Sequence, residues 1–136
     1  MMVLDASMAL SWLLDDEANA VGATLQTMVR DNGAVVPGHW HLEVANSLST
    51  AVRRRRITNE QRRAALDVLS ALPLTVDPET SARAWTDTLA LADRFGLTLY
   101  DAAYLELAAR RKLPLATLDG ELRQAAAGSG VPLLGS

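Results

Sequence analysis

A chain of 136 residues, 49% hydrophobic and 21% charged, has the size and balance of one folded domain and excludes a disordered segment. It contains no cysteine, which excludes a disulfide framework and any thiolate metal site, so a bound metal would have to use oxygen ligands or the two histidines, His39 and His41. No apolar run approaches the ~20 residues that a membrane helix needs, and the N-terminus lacks the basic flank and cleavage signal of a secretory peptide, so the expected location is the cytoplasm and no membrane contact is expected.

In chain order, Met2–Leu4 reads as a short buried strand ending at Asp5, and Ser7–Leu14 carries apolar residues at helical spacing. The segment 18–31 predicts a helix with Val21, Leu25, Met28 and Val29 on one face, stopped by Asn32-Gly33. Ala34–Val36 is a second strand, and Pro37-Gly38 breaks the chain before a helix from about His39 to Arg54 with Trp40, Val44, Leu48 and Val52 as its core stripe. Glu43 and Asn46 lie three residues apart on an adjacent face of that helix, close enough to act on one ligand.

Thr58-Asn59-Glu60-Gln61 has the form of a capping box, so another helix runs to about Leu72 and forms a hairpin with the previous one. The net charge is −3, but Arg53, Arg54, Arg55, Arg56, Arg62 and Arg63, around that turn, supply six of the 13 basic residues. Such a patch holds phosphates or an acidic partner, or is simply a solvated helix end. Leu74–Val76 is a third strand, Pro78 opens a helix lasting to Phe95, and Gly96 stops it. Thr98 caps the next helix, which ends before Pro114; Leu115-Ala116 is a fourth strand, 120–127 a helix, and 131–134 a possible fifth strand.

Strands alternating with helices imply an α/β fold: a three-layer α/β/α sandwich around a parallel sheet of four to five strands, as a single domain over residues 1–136. In open sheets of this kind ligands collect outside the carboxyl ends of the strands, near the point where strand order reverses. Asp5 and Asp119 follow strands directly, and Asp101 heads a helix whose residues Tyr104, Leu105 and Ala108 form a core-facing stripe.

Singly, each acid has a local explanation. Asp5 can cap the Ser7 helix, Asp119-Gly120 can be a turn or cap, and Asp101 can be the third residue of a Thr98 capping box. Glu43, a turn inside its helix between Leu42 and Val44, is harder to explain as a cap. Together the acids repel one another at one end of the sheet, and a hard divalent cation, Mg²⁺ or Mn²⁺, removes the conflict. Such a cation acidifies a bound water, orients it for in-line attack on phosphorus and stabilises the leaving oxygen, which points to phosphodiester hydrolysis.

Four segments then carry a family resemblance: Asp5-Ala6-Ser7 followed by Trp12 and Glu17; Glu43-Val44-Ala45-Asn46; Tyr100-Asp101-Ala102-Ala103-Tyr104; and Leu113-Pro114-Leu115-Ala116-Thr117-Leu118-Asp119. In this order and spacing the chain resembles PIN-domain proteins over nearly its whole length, and specifically VapC-type toxins of bacterial toxin–antitoxin pairs. The resemblance implies a Mg²⁺- or Mn²⁺-dependent endoribonuclease with Asp5, Glu43, Asp101 and Asp119 as metal ligands, directly or through water. It also implies that Ser7 and Thr117 hydrogen-bond within the acidic pocket, with Asn46 a polar neighbour beside it. As partners it implies RNA, a second copy of the chain in a homodimer, and a VapB-type antitoxin whose C-terminal segment reaches the acidic groove, in a heterotetramer or larger assembly. The Arg53–Arg63 hairpin resembles the part of the family that clasps the antitoxin.

His39 and His41, two apart on a helix, point in different directions and cannot chelate one metal together; surface or structural roles are expected, and an approach to RNA from the rim is the alternative for one of them. Trp12, Trp40 and Trp85 sit at apolar helical positions and read as core or dimer interface rather than as stacking platforms, in keeping with 4% aromatic content. A receiver-like signalling domain needs a paired acid after the first strand and a lysine after the last, but here Ala6 follows Asp5 and the only lysine, Lys112, precedes a strand. A dehalogenase-like phosphatase needs Asp-x-Asp, and Ser7 stands where the second acid belongs. A PIN-fold housekeeping RNA-processing nuclease keeps the fold, but the short chain carries no inserted arch or second module.

Overall fold

Five short strands form one sheet in the order β3-β2-β1-β4-β5, every neighbouring pair parallel. They are β1 (Met2–Leu4), β2 (Ala34–Val36), β3 (Leu74–Val76), β4 (Leu115–Ala116) and β5 (Leu133–Leu134) in a computed structural model that describes residues 1–14 and 20–135. Every residue of β1, β2 and β4 is buried, as expected of apolar segments covered on both faces, whereas edge strand β3 leaves Thr75 and Val76 exposed. The register sets Val3 beside Val35 and Leu4 beside Ala116, so the carboxyl ends of the three central strands come out together.

Parallel strands need crossovers, and helices supply them. Helices α1 (Ala6–Leu14) and α2 (Ala20–Asn32) join β1 to β2, and α3 (Trp40–Arg53) and α4 (Asn59–Ser70) join β2 to β3. Between β3 and β4 come α5 (Thr80–Arg83), α6 (Leu89–Phe95) and α7 (Leu99–Arg111), and α8 (Gly120–Ser129) leads to β5. Helices α1 to α4 contact one another as one group and α6 to α8 as another, giving the expected helix–sheet–helix layering. The chain runs outward from β1 through β2 to β3, then crosses back to β4 on the other side of β1. The reversal of strand order therefore falls between β1 and β4.

Local chemistry explains most element ends. Thr58 caps α4 with a reciprocal capping box: its hydroxyl accepts the Gln61 N–H at 3.1 Å, and the Gln61 side chain accepts the Thr58 N–H at 2.8 Å. The Thr98 hydroxyl accepts the Asp101 N–H at 3.2 Å and starts α7. Residues 102–108 of α7 are all buried, so this helix is the central pillar of its layer, and Tyr104, Leu105 and Leu107 each contribute about 1.5–3 kcal/mol of burial. On α2 only Leu25 and Val29 are buried; Val21 and Met28, expected on the same face, are 42% and 37% exposed because they lie at its margin. Residue 18, the expected start of that helix, and Glu17 lie outside the described residues.

The helix expected from Pro78 to Phe95 is broken by a π-helical turn over Ala84–Thr88. Trp40 is buried and Trp12 half-buried, but Trp85 on this turn is 88% exposed and contributes nothing to the core. Beside the turn lies an ion network that the hydrophobic pattern does not reveal. Arg110 on α7 bonds the buried Asp77 after β3 (2.7 Å), the buried Glu106 (2.8 Å) and Glu79 (3.1 Å), while Arg83 on α5 bonds Glu79 and Asp87. Burial pushes the Asp77 carboxyl up, but the Arg110 hydrogen bonds and charge outweigh it and hold that carboxyl below its usual range.

Candidate active site

The end of β1 delivers Asp5 into a nearly closed pocket; it is 3% exposed. Its Oδ2 accepts two short hydrogen bonds, from Ser7 Oγ at 2.7 Å and from Thr117 Oγ1 at 2.6 Å. Among the described residues its Oδ1 receives only the Ser7 N–H at 3.5 Å, a long contact for a helix cap. Thr117, at the end of neighbouring β4, also accepts the Asp119 N–H at 3.1 Å, so one buried hydroxyl fixes the relation between two of the acids. Asp119 does cap α8, its Oδ1 accepting the Leu122 N–H at 3.0 Å. Its Oδ2 takes no hydrogen bond from any described residue, so the cap engages only one of the two carboxylate oxygens.

The third acid arrives from the other neighbour of β1. After β2, Pro37-Gly38 turns the chain into α3, whose first turn carries Glu43. Glu43 Oε1 accepts a hydrogen bond of 3.0 Å from the hydroxyl of Tyr104, one turn beyond Asp101 on α7, and lies 3.3 Å from His39 Nε2. The same tyrosine oxygen accepts the Ala6 N–H at 3.4 Å. Asp101, half-buried at the head of α7, completes the set. The side chain of Asn46 is exposed on α3 and makes no hydrogen bond among the described residues.

The electrostatics tie the four acids into one group. Burial first, then the charges of Asp119, Asp5 and Glu43 in that order, push the Asp101 carboxyl up to about 6, against a smaller lowering by the Thr98 hydroxyl. Burial also pushes Asp5 up, aided by Glu43 and resisted by the hydrogen bonds from Thr117 and Ser7. Tyr104 is pushed up by burial and by the charges of Asp5 and Glu43, which keeps its proton in place as a donor. The donor set is hard oxygen with one imidazole nearby. Among the described residues no three carboxylates or histidines close on one point as a ready-made metal cage. An open, partly repelling oxygen set suits a cation such as Mg²⁺ that keeps several waters, and Asp5, Glu43, Asp101 and Asp119 are the side chains able to hold it.

The sequence did not expose Tyr104 and His39 as members of this site. Tyr104 reads as one more core position, and the available signal is that a buried tyrosine must find a partner for its hydroxyl, here three residues from an acid. His39 precedes its helix and looks like a surface residue, whereas its ring packs edge-on against Tyr100 and Tyr104, with centroids 5.6 and 5.5 Å away. His41 fits the structural reading, edge-on to Trp40 at 5.1 Å.

The fold belongs to a known class: residues 2–128 match the PIN domain model, and the chain belongs to the PIN-domain family. Among characterised relatives it is similar to Ribonuclease VapC1 of Mycobacterium tuberculosis, with 35% identity over 132 residues that cover 96% of this chain and 92% of the relative. It is also similar to Ribonuclease VapC12 of the same species, with 32% identity over 124 residues that cover 91% of each chain. Among solved structures, PAE2754 from Pyrobaculum aerophilum shares the fold with a TM-score of 0.70 at 24% identity, covering 97% of this chain and 81% of that one.

Proposed function

We propose that the chain is an endoribonuclease toxin that depends on Mg²⁺ or Mn²⁺, acts in the cytoplasm as a single PIN domain and is silenced by a VapB-type antitoxin. The observation that carries this reading is the gathering of four acids from four separate segments at the carboxyl ends of β2, β1 and β4, linked through the hydroxyls of Thr117 and Tyr104. The ribonuclease names of two relatives that match over most of both chains support the substrate class.

In this reading Asp5, Glu43, Asp101 and Asp119 hold the cation, which when bound supplies an acidified water and positive charge for the phosphate. The chain's own residues do the rest. Ser7 and Thr117 fix one oxygen of Asp5 by short hydrogen bonds and so set which oxygen faces the cleft. Asn46, exposed on α3 three residues after Glu43, is assigned to RNA contact. Cleavage of a structured RNA by the purified protein with Mg²⁺ is expected to stop in excess EDTA and to return when Mg²⁺ is restored above the chelator. Cleavage continuing unchanged in EDTA would remove the metal from the account.

The partners rest on the surface. A groove of about 310 Å³ runs between α1 and the α3–α4 hairpin, lined by Leu13, Leu14, Ile57, Ala65 and Val68 with Arg56 at its edge. Its leucine, isoleucine and valine side chains are mixed with polar groups, Gln61 and Arg56 among them, and this suits an amphipathic acidic segment of an antitoxin. Arg53 to Arg56 and Arg63 are exposed around it. The exposed Trp85 and Leu89, four residues apart, offer an apolar face for the second copy of a homodimer. Arg55→Ala combined with Arg56→Ala is expected to weaken antitoxin or RNA binding about tenfold and to lower its salt dependence, with Mn²⁺ affinity unchanged. Unchanged affinity for both partners would return the arginines to a solvated helix end.

A further inference from the structure

Tyr104 makes more contacts with the acidic site than a buried hydroxyl needs for its own satisfaction. One partner would suffice. Instead it donates to Glu43 Oε1 at 3.0 Å and accepts from the backbone N–H of Ala6, the residue after Asp5, at 3.4 Å. A single oxygen atom therefore links the β1–α1 junction, which carries Asp5, and α3, which carries Glu43, to α7, which carries Asp101. The second approach to Glu43 comes from His39, whose Nε2 is buried and makes no well-aligned hydrogen bond but stands 3.3 Å from the same Oε1. Its ring is held in place between Tyr100 and Tyr104. Both neighbours address Oε1, and no hydrogen bond reaches Oε2 from any described residue.

We propose that the Tyr104 hydroxyl and the His39 imidazole are positioning groups that hold Oε1 of Glu43 and leave Oε2 as the atom presented to a divalent cation. This rests on the reading of Glu43 as a metal ligand. A glutamate carboxylate on three rotatable bonds would otherwise turn toward solvent, away from the negative charges of Asp5 and Asp101. Partners that orient a ligand in this way are worth about 10–100-fold in metal affinity. Tyr104 acts on the metal chiefly through Glu43, its shorter contact, and that sets it apart from a residue that merely packs the core.

The test is calorimetric titration of Mn²⁺ into the purified full-length chain and into Tyr104→Phe, Glu43→Gln and the double variant, with folding checked by circular dichroism. Tyr104→Phe is expected to weaken Mn²⁺ binding about tenfold in the wild-type background and to have no further effect once Glu43 is Gln. Equal affinity in wild type and Tyr104→Phe overturns the inference. So does an equal loss in both backgrounds, the signature of a purely structural role. If Tyr104→Phe fails to fold, His39 decides instead: His39→Ala is expected to weaken Mn²⁺ binding and His39→Gln, which keeps a donor, to restore part of it, while equal affinity of both with wild type overturns the clamp. Absence of Mn²⁺ binding by the wild type overturns the metal site and the clamp together, whereas binding that ignores Tyr104 and His39 sinks the clamp alone.

Discussion

Asp101→Asn is expected to abolish RNA cleavage, by about 10²–10³-fold or more, and at the same time to make the metal-free protein more stable at neutral pH. The two effects have one cause. In the folded chain the Asp101 carboxyl titrates at about 6 instead of 3.8, because burial and three neighbouring charges disfavour its ionised form. A folded-state value above the unfolded one means that the folded chain binds the proton more tightly. Folding stability therefore falls as pH rises from about 4 through 6, and the penalty is fully present above that window. Asparagine keeps the shape and removes the charge. Because the carboxyl is half exposed, the gain is modest, roughly 2–5 °C in Tm at pH 7.5, shrinking as pH falls toward 4. Saturating Mg²⁺ should stabilise the wild type and leave the variant nearly unmoved. A variant that cuts at the wild-type rate contradicts the site assignment.

Arg110→Ala is expected to cost about 3 kcal/mol or more, because it takes the strongest partner from the buried Asp77 and Glu106, leaving Asp77 only the Thr80 hydroxyl and the Glu79 backbone, and Glu106 only Arg83, 3.6 Å away. For a domain of this size that corresponds to a fall of roughly 10–20 °C in Tm in a thermal melt. The pH dependence should change as well. In the wild type the lowered carboxyl of Asp77 contributes stability above its ordinary pKa that is lost as pH falls through its lower folded value. Without Arg110 the burial penalty is opposed only by the weaker hydrogen bonds from the Glu79 backbone and the Thr80 hydroxyl, so the acid-side loss of stability seen in the wild type should shrink and the variant should lose less on acidification. A cost below about 1 kcal/mol would mean that the network behaves as a surface ion pair.

The parts of the fold visible in the sequence are those governed by periodicity and local hydrogen bonding. The apolar triplets 2–4 and 34–36 had to be strands once turn signals bounded them, and the Thr58–Gln61 capping box forms as its residues imply. The reversal of strand order between β1 and β4 follows from connectivity, and with it the convergence of Asp5 and Asp119. Other features depended on three-dimensional context. The π turn at Ala84–Thr88 inserts an extra residue without a glycine or proline to announce it, so Trp85 turns outward from a pattern that reads as helical. Asp77, Glu106 and Arg110 look like ordinary surface charges until the strand end and the helix come together. Tyr104 and His39 escape for the same reason: their site roles exist only through contact with Glu43, an acid 61 positions away from Tyr104 in the chain.

The most direct test is sequencing of RNA 5′ ends in a bacterial host after brief induction of the wild-type protein, with Asp101→Asn expressed to the same level. New ends at discrete positions in the wild type alone are predicted, and their positions name the target. Identical end profiles for the two proteins, in a host where the wild type arrests growth, would contradict a carboxylate-dependent ribonuclease.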